Sequence, residues 1–330
     1  MPNTAVEPVH VAVGVIADRE RVFVTRRRLG THQGGKWEFP GGKVHAGETV
    51  LAALQRELHE ELGITVRAAE PLMQVRHDYA DKSVLLDTWT IIRYDGVPEG
   101  REGQDVRWVA ADELFAIDFP AADLPIQRSL WLPSVYAISA CDVYGHDTFM
   151  PRLDEALRRG LKLLQWREPV LDADRYLVLA RQAVARCHEH GAKVLLNADP
   201  SWAERCGADG VHLNSRRLMA ASARPLGPEF FVAASCHNAD ELEQASRVGA
   251  DLVVLGPVMA TASHPGADTL GWQGFERLCR PGSPARYALG GMNLTDIGAA
   301  VRAGGRGVAL IRGLWDSTER IAALADVARR

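Results

Sequence analysis

Residues 41–64 read GGKVHAGETVLAALQRELHEELGI, and four glutamates within them, Glu48, Glu57, Glu60 and Glu61, surround a single arginine, Arg56. On a helix, positions 57, 60 and 61 are three and four residues apart, so their side chains leave from one face. Carboxylates crowded in this way repel one another, and divalent cations relieve that repulsion. An all-oxygen donor set favours a hard ion such as Mg²⁺, with Mn²⁺ as its substitute, whose remaining positions are filled by waters and substrate phosphates. Such a face suits activation of water and neutralisation of charge on a phosphoryl group. Arg56 pairs with a neighbouring carboxylate and holds it in position. Gly41, Gly42 and Gly47 let the preceding loop turn tightly and bring backbone groups up to the ion or phosphate.

The element carrying these acids reads as a helix from about Thr49 to Leu62, because Leu51, Leu54, Leu58 and Leu62 recur at spacings of three and four and Gly63 supplies a stop. Val9 to Ala17 and Arg21 to Arg26 read as two short strands before it, and strand-like runs follow at Leu85 to Tyr94 and Val106 to Val109. The segment Phe119 to Pro133 brings three prolines and loses periodicity, which puts a boundary near Trp131 and predicts domains at 1–130 and 131–330. Beyond it, VYAIS, LKLLQWRE, KVLLNA, GVHL, FVAAS, DLVVLGPV, ARYALGG and GVALIRG alternate with helical segments. Eight buried-type strands in roughly 200 residues predict a (β/α)₈ TIM barrel, with a doubly wound open sheet as the alternative. Barrels of this kind bind ligands at the C-terminal strand ends, with phosphate often held after strands seven and eight. Gly290-Gly291 and Arg312-Gly313 occupy those two places, and Gln165, Arg167, Asn197, His212, Ser235, His237 and His264 are the other polar residues at strand ends.

Composition agrees with two ordinary globular cores. The chain has 330 residues, 47% hydrophobic and 24% charged, and its net charge of -4 argues against a polymeric nucleic acid as partner. Its longest N-terminal apolar run, Val11 to Ala17, is too short to span a bilayer and lacks a basic leader followed by a cleavage site, so no membrane partner is expected and the location expected is cytoplasmic. Five cysteines, all in the second half and without a CxxC pair, read as reduced thiols. The oligomeric state is left open, a homo-oligomer included.

The spacing Gly42, five residues, Glu48, seven residues, Arg56-Glu57-Leu58-His59-Glu60-Glu61-Leu62-Gly63-Ile64 reproduces the signature of the Nudix hydrolases. With VHVAVGVI, VTRRR, His32, KWEFPGGK, EGQ at 102–104 and FPAADLP at 119–125, the first 130 or so residues resemble the mutator-T branch of that family, which hydrolyses 8-oxo-dGTP to the monophosphate and pyrophosphate. The resemblance implies an α/β fold with a mixed sheet sandwiched by helices. It implies metal binding by the Gly41 carbonyl, Glu57, Glu60 and Glu61, with Glu102 as a further ligand or the base that orients water and Arg56 in support. Arg27, His32, Glu38, Phe39, Pro40 and Gly41 would line the nucleotide site. Where that branch has an asparagine reading the oxidised purine, this chain has Asp123, which when ionised accepts from ring N–H groups but cannot donate to O6.

In the second half QWREP, NAD, ADGVHLNSRR, AASCHNADELEQA, GADLVVLGPVMATASH, ALGGM and GVALIRGLW resemble thiamin phosphate synthase and its relative the thiazole tautomerase over about 190 residues. The synthase pattern has a lysine where this chain has Pro169, magnesium-binding aspartates at Ala198 and Arg217, a lysine at His264 and a serine at Arg312, and the tautomerase histidine falls at Pro257. The resemblance therefore implies a barrel that binds a phosphorylated small molecule without synthesising thiamin phosphate. Nucleotide-pool sanitation by the first half is the leading reading. The alternative places both halves in thiamin metabolism, the first hydrolysing a pyrophosphorylated precursor or analogue and the barrel acting on or sensing thiazole phosphate.

Overall fold

The computed structural model describes residues 7–18, 21–111, 113–261, 266, 268–279 and 284–327. The chain divides into two compact units, Met1–Trp131 and Leu132–Arg330. In the first, strands β1 (Val9–Asp18), β2 (Arg21–Arg26), β3 (Trp37–Glu38), β4 (Gly41–Lys43), β5 (Thr65–Asp78), β6 (Ser83–Asp95) and β7 (Val106–Ala110) form one sheet in the order β3-β2-β1-β6-β5, with β4 beside β1 and β7 beside β2. The sheet is mixed: β1 and β6 run parallel, and the other pairs run antiparallel. Alternation along β1 divides its side chains between two cores. Ala12 and Ile16 meet Leu54, Leu58 and Leu62 of helix α1 (Val50–Leu62), while Val13 and Val15 join Ile126 of helix α2 (Leu124–Trp131). Each buried leucine of α1 contributes roughly 1.5–3 kcal/mol. Leu51 shares their bearing but lies in the first turn and is exposed, and Ala53 is buried in its place.

Thr49 caps α1 by accepting the Ala52 N–H, and Gly63, at φ 71°, closes it by donating to the His59 carbonyl. The aperiodic stretch 119–133 is structured: a 3₁₀ turn at Ala121–Asp123 leads into α2, which buries Ile126. Pro125 sits in the first turn of α2, where a missing N–H breaks no helical bond.

The second unit is a closed barrel of eight parallel strands, β8 (Val135–Ile138), β9 (Leu163–Trp166), β10 (Lys193–Leu196), β11 (Gly210–Leu213), β12 (Phe231–Cys236), β13 (Leu252–Leu255), β14 (Ala285–Ala288) and β15 (Gly307–Leu310). Sequential neighbours pair, and β15 closes on β8. Leu164, Trp166, Val211, Leu213, Val232 and Ala234 pack against the surrounding helices, so the residues alternating with them point inward. Those inward positions include Tyr136, Gln165, His212 and Ser235. All five cysteines are free thiols, and no helix among the described residues is long and apolar enough to cross a membrane.

Candidate functional site

The second half of α1 packs its charged face over β4, and close approach is what the glycines there permit. A Cβ on Gly42 would lie 2.1 Å from the Glu57 carboxyl carbon, and one on Gly41, at φ 148°, would lie 2.1 Å from the Ala12 carbonyl oxygen. Arg56 organises the acids. Its Nε and Nη2 donate to the two oxygens of Glu48 at 3.0 Å each, Nη1 donates to Glu57 at 2.7 Å and to Glu60 at 3.4 Å, and Nη2 also donates to the Lys43 carbonyl at 3.0 Å. The bonds from Arg56 and the His45 N–H hold Glu48 down at about 2, so it is the permanent anchor of the arginine. Glu61 turns the other way and accepts the Gly41 N–H at 3.3 Å.

Glu61 opens into a cleft of about 290 Å³ whose wall also carries Arg27, Arg28, His32, Glu38, Phe39, Gly41, Glu102 and Asp123. Arg28 holds Glu102 through a 3.1 Å ion pair, and Gln104 donates to the Glu61 carbonyl while accepting the Glu102 N–H. Arg27 pairs with Glu38 and donates to the His32 carbonyl. Burial, then the nearby charges of Glu38, Glu57 and Glu102, push the Glu61 carboxyl up to about 8 against the bond from Gly41.

The expected metal set is therefore brought only partly together. Gly41, Glu61 and Glu102 share the cleft, Glu57 lies over Gly42, and Glu60 is half exposed on Arg56. Among the described residues no three His, Cys, Asp or Glu side chains meet at one point. The donors nevertheless fit a divalent cation: they are oxygens, and the burial and neighbouring negative charge that raise the Glu61 carboxyl are what a hard cation offsets.

Asp123, on the wall of the same cleft, is 7% exposed. Burial and the Glu38 charge push it up to about 8, opposed by Arg27 and the Phe39 N–H. A carboxyl raised in this way favours its protonated form at neutral pH, whereas the sequence reading weighed only the ionised form. Phe39 stacks on Phe119 at 5.2 Å, and Pro40 is buried with its carbonyl accepting the Gly14 N–H, so Pro40 supports the wall without lining it. Tyr79 had no motif to announce it: its ring packs on His32 at 4.7 Å and its hydroxyl accepts the Ala122 N–H.

In the barrel the inward polar residues form a chain. Asn197 donates to Gln165 Oε1 at 3.0 Å, which turns the Gln165 amide nitrogen toward His212 Nδ1 at 3.1 Å. Tyr136 also reaches Nδ1 at 3.1 Å, so Nδ1 accepts and the opposite nitrogen donates to Ser235 Oγ at 2.8 Å. Burial and Arg167 lower His212 to about 3, so it is neutral. His212 and Gln165, at 0% and 2% exposed, are interior residues satisfied by one another, which corrects their expected place among direct ligand contacts. His237 directly follows β12 and is held by Glu241 at 2.9 Å, beside a depression shared with Leu270 and Arg277. His264 lies outside the described residues. Arg167 is partly exposed after β9, Gly290 and Gly291 follow β14 with φ of 98° and 69°, and Arg312 is exposed after β15.

A family model described as thiamine monophosphate synthase matches residues 135–314, and one described as NUDIX domain matches residues 12–128. The chain is 39% identical over 121 residues to an 8-oxo-dGTP diphosphatase of Escherichia coli, covering 36% of this chain and 94% of that protein. The chain belongs to both the Nudix and the thiamine monophosphate synthase families. The Nudix domain is accordingly that of a pyrophosphohydrolase, and Nudix hydrolases generally use divalent metals.

The synthase-family domain is 34% identical over 204 residues to a thiamine-phosphate synthase of Thermosynechococcus vestitus, covering 62% of this chain but 57% of that protein, so the chain spans little more than half its length. A solved thiamine phosphate pyrophosphorylase from Pyrococcus furiosus shares the barrel fold, with a TM-score of 0.50 and 20% identity over 59% of this chain and 94% of that one. A magnesium site at positions 198 and 217 does not fit the residues present. Ala198 is buried and has no oxygen to offer, Arg217 is a cation, and the neighbouring Asp199 is engaged by Ser201 through both backbone and hydroxyl.

Proposed function

We propose that the Nudix domain is a Mg²⁺-dependent pyrophosphohydrolase that converts 8-oxo-dGTP to 8-oxo-dGMP and pyrophosphate, and that the synthase-family domain holds a phosphorylated small molecule without making thiamin phosphate. The observation that carries the first part is a single cleft whose wall carries Asp123 and Phe39 together with Glu61, Gly41 and Glu102, so a base and its phosphates can be held together. Gly41, Glu57, Glu60, Glu61 and Glu102 would hold the metal, which when bound neutralises phosphate charge and acidifies water. The protein's own part is positioning. Arg56 fixes Glu57 over Gly42, the Gly41 N–H aims Glu61, and Arg28 fixes Glu102 beside the water it would orient. Water adds to phosphorus, one P–O–P bond breaks, pyrophosphate leaves, and the proton of the attacking water passes to a cleft carboxylate.

The presence of a synthase-family domain in the same chain favours a second reading, in which the Nudix domain hydrolyses a pyrophosphorylated thiamin precursor or analogue. A panel of 8-oxo-dGTP, dGTP, thiamin pyrophosphate and hydroxymethylpyrimidine pyrophosphate, compared by kcat/KM with Mg²⁺, decides between them. The first reading expects 8-oxo-dGTP to lead; a thiamin compound in first place would replace it.

For the barrel, the left-handed backbone at Gly290 and Gly291 and the exposed Arg312 supply N–H groups and positive charge after strands seven and eight. A charge-assisted contact is worth roughly 1.5–3 kcal/mol. Arg312→Ala in the full chain is expected to weaken thiazole phosphate about tenfold or more in calorimetry while leaving Nudix turnover unchanged. No binding by the wild-type protein at millimolar ligand would remove this role, and thiamin phosphate made in a coupling assay would refute the loss of synthesis.

A further inference from the structure

Arg26, Arg27 and Arg28 follow one another from the end of β2, and each meets a different acid: Asp105, Glu38 and Glu102. Arg26 also donates to the Gly35 carbonyl and Arg27 to the His32 carbonyl, at 2.9 Å each, so both tie the cleft wall together. Arg28 differs. A single nitrogen, Nη2, donates to the Glu102 carbonyl at 2.5 Å and to its carboxylate at 3.1 Å, while Nη1 and Nε donate to no group among the described residues. The residue it holds is anchored on its other side as well. The Glu102 N–H donates to Gln104, and the Gln104 amide and the Arg101 N–H both donate to the Glu61 carbonyl at the end of α1. Glu102 and Arg28 are therefore tied to the turn of α1 that carries Glu61. Their side chains are 45% and 56% exposed, so the ion pair adds little to the stability of the fold.

We propose that Arg28 binds the pyrophosphate half of the substrate, keeping Nη2 on Glu102 and giving its unoccupied N–H groups to phosphoryl oxygens. The inference deepens, and rests on, the reading of the cleft as one that releases pyrophosphate from 8-oxo-dGTP. A wall that carries Glu38, Glu61, Glu102 and Asp123 repels a polyphosphate unless cations of the protein meet it. Arg27 is committed to Glu38 and to the His32 carbonyl. Lys43 and Lys82 also line the cleft, but as point charges on flexible stems, and neither pairs with an acid there. Arg28 is the cleft cation in contact with Glu102, which places its free donors within reach of the phosphates that Glu102 serves. Arg28 moves no proton and stays charged throughout. Once the P–O–P bridge is cut, pyrophosphate carries one more charged oxygen than it did within the nucleotide. A guanidinium already fixed beside it therefore favours the transition state and the product over the substrate.

The test uses the full chain, wild type beside Arg28→Ala and Arg28→Lys, at constant free Mg²⁺, and measures inhibition of 8-oxo-dGTP hydrolysis by each product. In Arg28→Ala the inhibition constant for pyrophosphate is expected to rise about tenfold or more, while that for 8-oxo-dGMP stays within about twofold. Arg28→Lys keeps the charge and should recover part of the pyrophosphate inhibition. Calorimetry of pyrophosphate into the same proteins without nucleotide should show the same loss at one site. An unchanged constant for pyrophosphate overturns the proposal, and so does an equal rise for both products, which would mean that Arg28 only shapes the cleft. Release of inorganic phosphate from 8-oxo-dGTP by the wild type would instead remove the underlying reading, and the proposal with it.

Discussion

Glu61→Gln is expected to leave a folded protein whose hydrolysis of 8-oxo-dGTP is slower by roughly three orders of magnitude, because a metal-binding carboxylate supports several kcal/mol of charge stabilisation at 1.36 kcal/mol per tenfold. The substitution keeps shape and the capacity to accept the Gly41 N–H, so the wall of the cleft stays in place. What it removes is the negative charge Glu61 carries once its proton is displaced, the charge that Glu38, Glu57 and Glu102 crowd against. Steady-state turnover with circular dichroism as the fold control checks it. Near-normal turnover would take Glu61 out of the mechanism.

Gly42→Ala carries an effect of similar size by a different route. The added methyl would stand 2.1 Å from the Glu57 carboxyl carbon, a separation no packing tolerates, so Glu57 must swing away while the backbone, which is not in the left-handed region at Gly42, is unstrained. Displacing a catalytic carboxylate by about 1 Å costs on the order of a hundredfold, and a larger swing costs more. The expected signature is a fall in kcat with the melting temperature little changed. A variant with wild-type kcat would mean that the place of Glu57 over Gly42 is not needed.

Where the sequence was readable, one local pattern dominated. Helix α1 is legible because its leucine spacing, its Thr49 cap and its Gly63 stop agree, and the barrel strands are legible because short apolar runs recur between helical segments. Strand β5 is not: TVRAAEPLMQVRHD lacks alternation, and the structure explains why, since its pairing with β6 shifts register three times, once across Pro71. Helix α2 was hidden by Pro120 and Pro125, residues that start a helix as readily as they break one. His212 was placed on the rim although Val211 and Leu213 beside it face the helices, so alternation alone puts it inside the barrel. The proton on Asp123 and the role of Tyr79 had no sequence signal, because both depend on groups brought together from distant strands and turns.

The central claim is that one cleft holds an oxidised guanine at Asp123 and opens the phosphate chain at Glu61. The most direct test is to follow 8-oxo-dGTP by phosphorus NMR in ¹⁸O-labelled water with Mg²⁺, beside dGTP. The account predicts 8-oxo-dGMP and pyrophosphate in equal amounts, one of them carrying a single labelled oxygen, and faster consumption than of dGTP. Release of inorganic phosphate with the diphosphate, or equal rates for the two nucleotides, would contradict it.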